Sequence, residues 1–191
     1  RHMTGIVILP AGRDDAFDDY KQFVRDGHPI DDIESYLNED DLELFRKTSD
    51  DDLVHVWGTS VDGTWGNVGR NDIALVYHDG ALVARGQVLQ LRHDPDLAEY
   101  LWKENVDHGR WNEESPWEYM TFLTDVEEIN VDIEEFNELV GYDETYRPQG
   151  FTRVADKRLD QLAGEKSVET AIADLTDSGE RVHPVDGEDD G

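Results

Sequence analysis

Asp79-Gly80 stands between two apolar runs, Ile73–His78 and Ala81–Leu91, and that juncture constrains the fold more than any other feature of the chain. An Asp-Gly pair supplies the two left-handed positions of a tight hairpin turn, so the runs are predicted to be adjacent antiparallel strands. Helical segments before and after them then have to pack on an antiparallel sheet, which argues against a doubly wound parallel architecture. Ile6-Val7-Ile8-Leu9 before Pro10-Ala11-Gly12 reads as a short buried strand entering a loop. From Asp14 to Arg25, Phe17, Tyr20, Phe23 and Val24 fall at helical spacing, and Gly27 ends that helix. A second helix is predicted from Asp31 through Phe45, with Ile33, Tyr36, Leu37 and Leu42 on its apolar face. Leu53–Ser60 reads as a strand and Val61–Arg70 as a Gly-rich loop carrying Trp65. Asp94-Pro95 opens a helix holding Leu97, Tyr100, Leu101 and Trp102.

After a polar loop containing Trp111 comes a strand-rich stretch, Trp117–Val131. Asp132 with Glu135 fits a capping box for a helix ending at Val140, and Phe151–Val154 is placed to close the sheet. The fold class expected is α+β, a small curved or barrel-like mixed sheet flanked by helices. The main domain is expected over residues 3–162, after a vector-derived scar at Arg1-His2 and a native start at Met3. Residues 163–191 are expected to form an acidic tail or linker with one short helix, Ser167–Leu175.

Charge decides which solvent suits this surface. The chain carries 46 Asp and Glu against 17 Lys and Arg in 191 residues, a net charge of −29. The acid is spread along the whole chain, and only five of the cations are lysines. In dilute buffer such a surface repels itself and works against the compact state. At about 1 M salt the Debye length falls to roughly 3 Å, and that repulsion is screened. The composition is therefore read as adaptation to a high-salt cytoplasm, with a DNA mimic, an acidic scaffold or a calcium-loaded protein as the alternatives. The absence of cysteine removes thiolate metal sites, redox motifs and disulfides together. No signal peptide and no apolar run of spanning length is present, so a cytoplasmic protein without a membrane partner is expected.

No catalytic pattern emerges. Gly164-Glu165-Lys166-Ser167 echoes the end of a phosphate-binding loop, but the upstream glycine and the preceding strand are missing. No His-Glu-x-x-His, Gly-x-Ser-x-Gly or calcium-loop spacing occurs. His55, His78 and His93 lie in or beside strands, where a histidine is most often structural or merely solvated. No enzyme, no metal and no cofactor are expected. The tryptophans carry more information. Trp102 fits core packing, whereas Trp57 at a strand end, Trp65 in a Gly-rich loop, and Trp111 and Trp117 about a loop-to-strand boundary lie where binding residues concentrate.

Val56-Trp57-Gly58-Thr59-Ser60, Trp65-Gly66-Asn67-Val68, Asn71-Asp72-Ile73-Ala74-Leu75-Val76-Tyr77-His78-Asp79-Gly80 and Gly86-Gln87-Val88 follow one another in order. Pro116-Trp117-Glu118-Tyr119-Met120-Thr121-Phe122-Leu123-Thr124-Asp125-Val126, Phe136-Asn137 and Gln149-Gly150-Phe151 continue the series. Together they resemble the EVE/YTH-like branch of the PUA superfamily, above all the N-terminal DNA-binding domains of archaeal McrB-type, modification-dependent restriction proteins. The resemblance spans most of Ile6–Val154. It departs from the family at Asn71, where Gly is usual. It implies a reader of a modified base, N6-methyladenine in DNA, flipped out of the duplex into an aromatic cage. Trp57 would form one wall, Trp117 a second, and Trp65 or Trp111 a third. Thr59 and Ser60 would read the base edge. Arg70, Arg92, Arg110, Arg147 and Arg153, in loops or at strand ends, would reach phosphates. The partners implied are methylated DNA, or modified RNA as the alternative, and a motor or nuclease domain or subunit of a restriction system. A DNA-mimic or interaction module without a pocket is the further alternative, and it places Trp57 and Trp117 in a closed core.

Overall fold

A computed structural model describes residues 4–105, 117–162 and 167–178. Its centre is a seven-stranded mixed sheet flanked by helices, with the strand order β2-β3-β6-β5-β4-β1-β7. The strands are β1 (Ile6–Pro10), β2 (His28–Pro29), β3 (Leu53–Thr59), β4 (Ile73–His78), β5 (Ala81–His93), β6 (Tyr119–Asp132) and β7 (Thr152–Arg153). Only β1 and β4 run parallel; every other pairing is antiparallel. The architecture is α+β, as the hairpin argument requires.

The β4–β5 hairpin turns at Asp79 (φ 50°) and Gly80 (φ 85°), the two left-handed positions expected of Asp-Gly. Alternation then distributes the apolar runs. In β1, Ile6 and Ile8 enter one core cluster while Val7 and Leu9 enter another, so both faces of this strand are buried. That is why its sequence is apolar without interruption. Along β6, Leu123 faces the second cluster but Ile129 and Val131 face the first, although all three are odd-numbered. Irregular register between β5 and β6, with Asp125 at φ 56°, switches the parity and bends both long strands.

The helices occupy both faces. Helix α1 (Asp14–Asp19) runs directly into a π-helical stretch, Tyr20–Asp26, closed where the Gly27 N–H donates to the Gln22 carbonyl at 3.1 Å. The second predicted helix is instead broken into α2 (Ile30–Ile33), a 3-10 turn at Glu34–Tyr36, and α3 (Glu39–Thr48). Leu37 is extended, and the Asn38 side chain accepts the Asp41 N–H at 2.7 Å, capping α3. The apolar spacing continues across that cap and conceals the break. Short helix α4 (Asp62–Trp65) interrupts the Gly-rich loop, and α5 (Pro95–Asn105) starts where Asp94 accepts the Leu97 N–H at 3.1 Å.

Asp132 does not form the expected capping box. It is the last residue of β6 and makes no side-chain cap to α6 (Ile133–Val140), whose first N–H donates to the Gly80 carbonyl at 2.9 Å. Helix α7 (Asp156–Leu162) is followed by α8 (Val168–Ser178). Val168, Ala171 and Ile172 of α8 are buried, Val168 and Ile172 in the cluster of Ile6 and Phe136, and Arg85 of β5 donates to the Thr176 hydroxyl at 3.1 Å. This helix belongs to the core, so the boundary expected at residue 162 falls inside the packed unit. Its apolar residues read as a weak amphipathic stretch because only the tertiary structure supplies the surface they cover.

Two polar anchors join elements distant in sequence. Buried Asp72 accepts the N–H groups of Gly5 and Gly69, each at 2.8 Å, and tethers the start of β1 to the loop before β4. Asn71 beside it has φ 77°, a conformation Gly adopts freely and Asn tolerates better than most residues. Asn71 is thus accommodated by the turn itself. Asp41 on α3, its side chain 4% exposed, takes Arg92 Nε at 2.6 Å, Arg92 Nη2 at 2.8 Å and Gln90 Nε2 at 3.0 Å. Removing one partner of a fully buried pair costs about 3–5 kcal/mol. Arg92 is itself 39% exposed and partly screened, which brings the expected cost of Arg92→Ala to roughly 2 kcal/mol. In thermal unfolding at fixed salt that is a Tm lower by roughly 6 °C. An unchanged Tm would show that Arg92 is not needed to hold Asp41.

Candidate nucleobase-binding cleft

The end of β3 builds one wall. Because side chains alternate, Trp57 and Thr59 project to one face and Gly58 to the other. On the Gly58 side the strand is crossed closely: Trp102 of α5 is buried, its indole N–H donates to the Trp117 carbonyl at 2.8 Å, and the two indoles meet edge to face at 5.6 Å. Phe23, in the π-helical stretch, meets Trp102 edge to face at 4.7 Å. The wider π-helical turn brings Asp19 and Phe23 to the same opening, one of the local uses such turns have.

These residues line a cleft of ≈ 510 Å³, within the size range of small-molecule sites. Trp57, Trp117, Phe23, Trp102 and Phe151 make its apolar surface; Asp19, Thr59, Ser60 and Gln149 are its polar side chains, with Arg13 at the side of α1. A second hollow of ≈ 480 Å³ shares Arg13, Asp19, Trp117 and Gln149 and continues outward past Gly12, Asp15 and Pro148. A further cleft of ≈ 270 Å³, elsewhere on the sheet, is faced by Asp50, Asp51 and Asp125 and suits an anion poorly.

The positions singled out in the sequence divide as follows. Trp57 and Trp117 converge on the cleft, as do Thr59 and Ser60. Thr59 is buried, and its hydroxyl accepts the Val61 N–H at 3.1 Å, which folds the loop and leaves the hydroxyl proton for another acceptor. Trp65 does not line the cleft. Its indole N–H donates to the Met120 carbonyl at 3.2 Å, and its ring leans on Tyr119, with 5.2 Å between centroids. Trp111 and Arg110 lie outside the described residues.

Of the arginines singled out in the sequence, the four that are described all lie away from the cleft lining. Arg70 Nε donates to the Leu89 carbonyl at 3.1 Å and Arg92 holds Asp41. Arg147 pairs with Glu134, and Arg153 with Asp156, each at 2.9 Å. The cation that does reach the opening is Arg13, which nothing in the sequence distinguishes from any other exposed charge. Its guanidinium hydrogen bond holds the Asp15 carboxyl below the usual carboxylate range.

Asp19, Phe23 and Gln149 likewise carry no local mark of a site. Gln149 and Phe151 stand in the ordered series of motifs, yet nothing near them in the sequence shows that they face β3. Of the strand histidines, His55 and His78 place Nδ1 2.7 and 2.6 Å from the Val24 and Ala11 carbonyls, so Nδ1–H donates in each. His78 also stacks on Phe17 at 3.7 Å. Among the described residues no cluster of three or more His, Asp or Glu has the geometry to hold a metal ion. No described helix is long and apolar enough to cross a membrane.

No family model and no curated protein matches the chain. Solved structures do. The N-terminal domain of Thermococcus gammatolerans McrB bound to m5C DNA superposes with a TM-score of 0.65 at 17% identity, covering 85% of this chain and 96% of that one. The chain has the fold of that McrB domain. The resemblance to McrB-type N-terminal domains drawn from the ordered motifs therefore holds at the level of the fold. The YTH domain of Zygosaccharomyces rouxii MRB1 in complex with N6-methyladenosine RNA also matches, at a TM-score of 0.46 and 8% identity over 95% of this chain and 94% of that one. Within this fold, the cleft sits where β3, the π-helical stretch, α5, Trp117 just ahead of β6 and the loop before β7 meet.

Proposed function

We propose that this chain is a binding module for a methylated base in DNA, taken out of the duplex and held in the Trp57–Trp117 cleft, and that it performs no catalysis. The observation that carries this reading is the convergence of Trp57 and Trp117 on one open cleft with Thr59, Ser60, Asp19 and Gln149 around it. The McrB-type fold and the m5C DNA held by the Thermococcus domain support it. Flipping a base costs a few kcal/mol. Stacking on aromatic faces returns about 1–3 kcal/mol per base, and a fitted pocket adds roughly 1–3 kcal/mol of discrimination for a methyl group. The volume of ≈ 510 Å³ exceeds that of a single purine or pyrimidine, and the ligand proposed is N6-methyladenine, with 5-methylcytosine as the competitor. The role proposed is targeting of a modification-dependent restriction or defence system through a motor or nuclease partner.

Binding competition at molar KCl among duplexes carrying N6-methyladenine, 5-methylcytosine or no methyl group, with a methylated single-stranded RNA alongside, tests this. Preference for an N6-methyladenine duplex is the expected result. Preference for the RNA moves the chain to RNA reading, and equal binding of methylated and unmethylated duplexes refutes the pocket.

The acidity belongs to the same proposal as a property of the solvent. With a net charge of −29, Tm is expected to rise continuously as KCl is raised from about 0.1 M to about 3 M. A flat or falling Tm would remove the high-salt reading. At such salt counterion release adds little, so affinity has to come from stacking and hydrogen bonds.

A further inference from the structure

We infer that the outer face of His93 is a second stacking site, for the nucleobase neighbouring the one in the cleft, an inference that rests on the cleft being a base pocket. Thr59, Tyr119 and His93 lie directly opposite one another across β3, β6 and β5, and Trp57, Thr121 and Leu91 form the parallel row two residues along. Opposed residues share a face, so Tyr119 and His93 project on the same side of the sheet as Trp57 and Thr59. The rows are separated by two strand residues, about 6.7 Å. Two strand spacings of about 4.8 Å also separate β3 from β5, so His93 lies on the order of 12 Å from Trp57, the reach from a base swung out into the cleft to the neighbour it leaves in the duplex.

The rings there are already ordered. Tyr119 and His93 stack at 4.5 Å with planes 19° apart, and Trp65, held by its bond to Met120, backs Tyr119. His93 Nε2 lies 3.3 Å from Glu118, which fixes the imidazole plane, while its side chain remains 46% exposed. With one face on Tyr119 and an edge on Glu118, the exposed area is the other face. Val61, 47% exposed, adds apolar surface at the lip of the cleft, between Thr59 and α4. His55 and His78 spend a ring nitrogen on a backbone carbonyl; His93 instead ends a row of three rings and is oriented but uncovered. Stacking of this kind tolerates sequence, and it does not depend on cations, of which Arg13 alone among the described residues lines the cleft.

The test is equilibrium binding of the whole chain at molar KCl to methylated and unmethylated duplexes, and to a methylated duplex with an abasic site beside the methylated base. His93→Ala is expected to weaken binding of both intact duplexes by roughly 5- to 10-fold and leave their ratio unchanged, with His93→Phe restoring the parent value. On the abasic duplex the parent and His93→Ala should bind alike. Equal binding of parent and His93→Ala to the intact duplexes overturns the inference, as does an undiminished difference on the abasic one. If the parent binds both duplexes equally, the pocket reading fails, and a loss in His93→Ala still establishes the stacking surface. Absence of binding to every duplex overturns both.

Discussion

Trp57→Ala is expected to lower affinity for the methylated duplex by about 10- to 100-fold and to bring methylated and unmethylated duplexes to within about twofold of each other. The first part follows from the loss of one stacking wall, about 1–3 kcal/mol, at 1.4 kcal/mol per factor of ten. The second follows from shape: without the indole the cleft opens beside Thr59, and the methyl group loses the surface that makes it worth more than its own burial. Trp57 is only 9% exposed and packs with Leu9, Tyr20 and Val24, so its truncation also costs stability, about 3 kcal/mol for a buried aromatic. The measurement therefore pairs binding with thermal unfolding and includes Trp57→Phe, which keeps a ring in place. A folded Trp57→Ala protein that still discriminates would show that the cleft is not where the base is read.

Gly58→Ala should act through the same site by a different route. A Cβ on Gly58 would lie 2.5 Å from Trp102 Cζ2, 2.8 Å from the Trp117 carbonyl oxygen and 2.9 Å from Trp117 Cβ. Two of these are main-chain oxygen and Cβ, which no rotamer change moves, and the third belongs to a buried indole already fixed by its bond to Trp117. Either β6 shifts at its start or Trp102 leaves its place against Phe23. Overpacking of this severity costs about 3 kcal/mol, or roughly 10 °C in Tm for a chain of this length. Trp117 moves with it, so binding should fall together with stability. Gly63→Ala is the matched control: nothing lies within 4 Å of its Cβ, and alanine is the better residue in a helix. A Gly58→Ala protein melting with the parent would mean that α5 does not approach β3 as closely as described.

Much of the fold was legible because it depends on local chemistry. Asp79-Gly80 dictates a hairpin since few other pairs occupy two left-handed positions. The unbroken Ile6–Leu9 run dictates a strand buried on both faces, because alternation leaves no side for solvent. Asp94-Pro95 marks a helix start by a cap and a preset φ. The misreadings have two causes. Asn38 caps α3 inside a continuing apolar period, Asp132 stands at the N-cap of α6 without a side-chain cap, and α8 is apolar toward a surface made of residues far away in the chain. For Asp132 and α8 the deciding partner is distant in sequence, whereas the Asn38 cap bonds only three residues on and is hidden by the apolar period that runs across it.

The cleft divides the same way. By itself the sequence determined that Trp57, Gly58, Thr59 and Ser60 are consecutive at a strand end, and alternation alone then sends Trp57 and Thr59 to one side and Gly58 to the other. It also determined the acidity, which constrains the solvent and leaves the ligand open. Only the tertiary structure decided that Trp117 and Trp57 line one cleft while Trp65 turns to Tyr119, that Asp19 and Gln149 reach the cleft, and that Arg92 is occupied by Asp41. Spacing along one element sets a side chain's direction, whereas convergence depends on how separate elements pack.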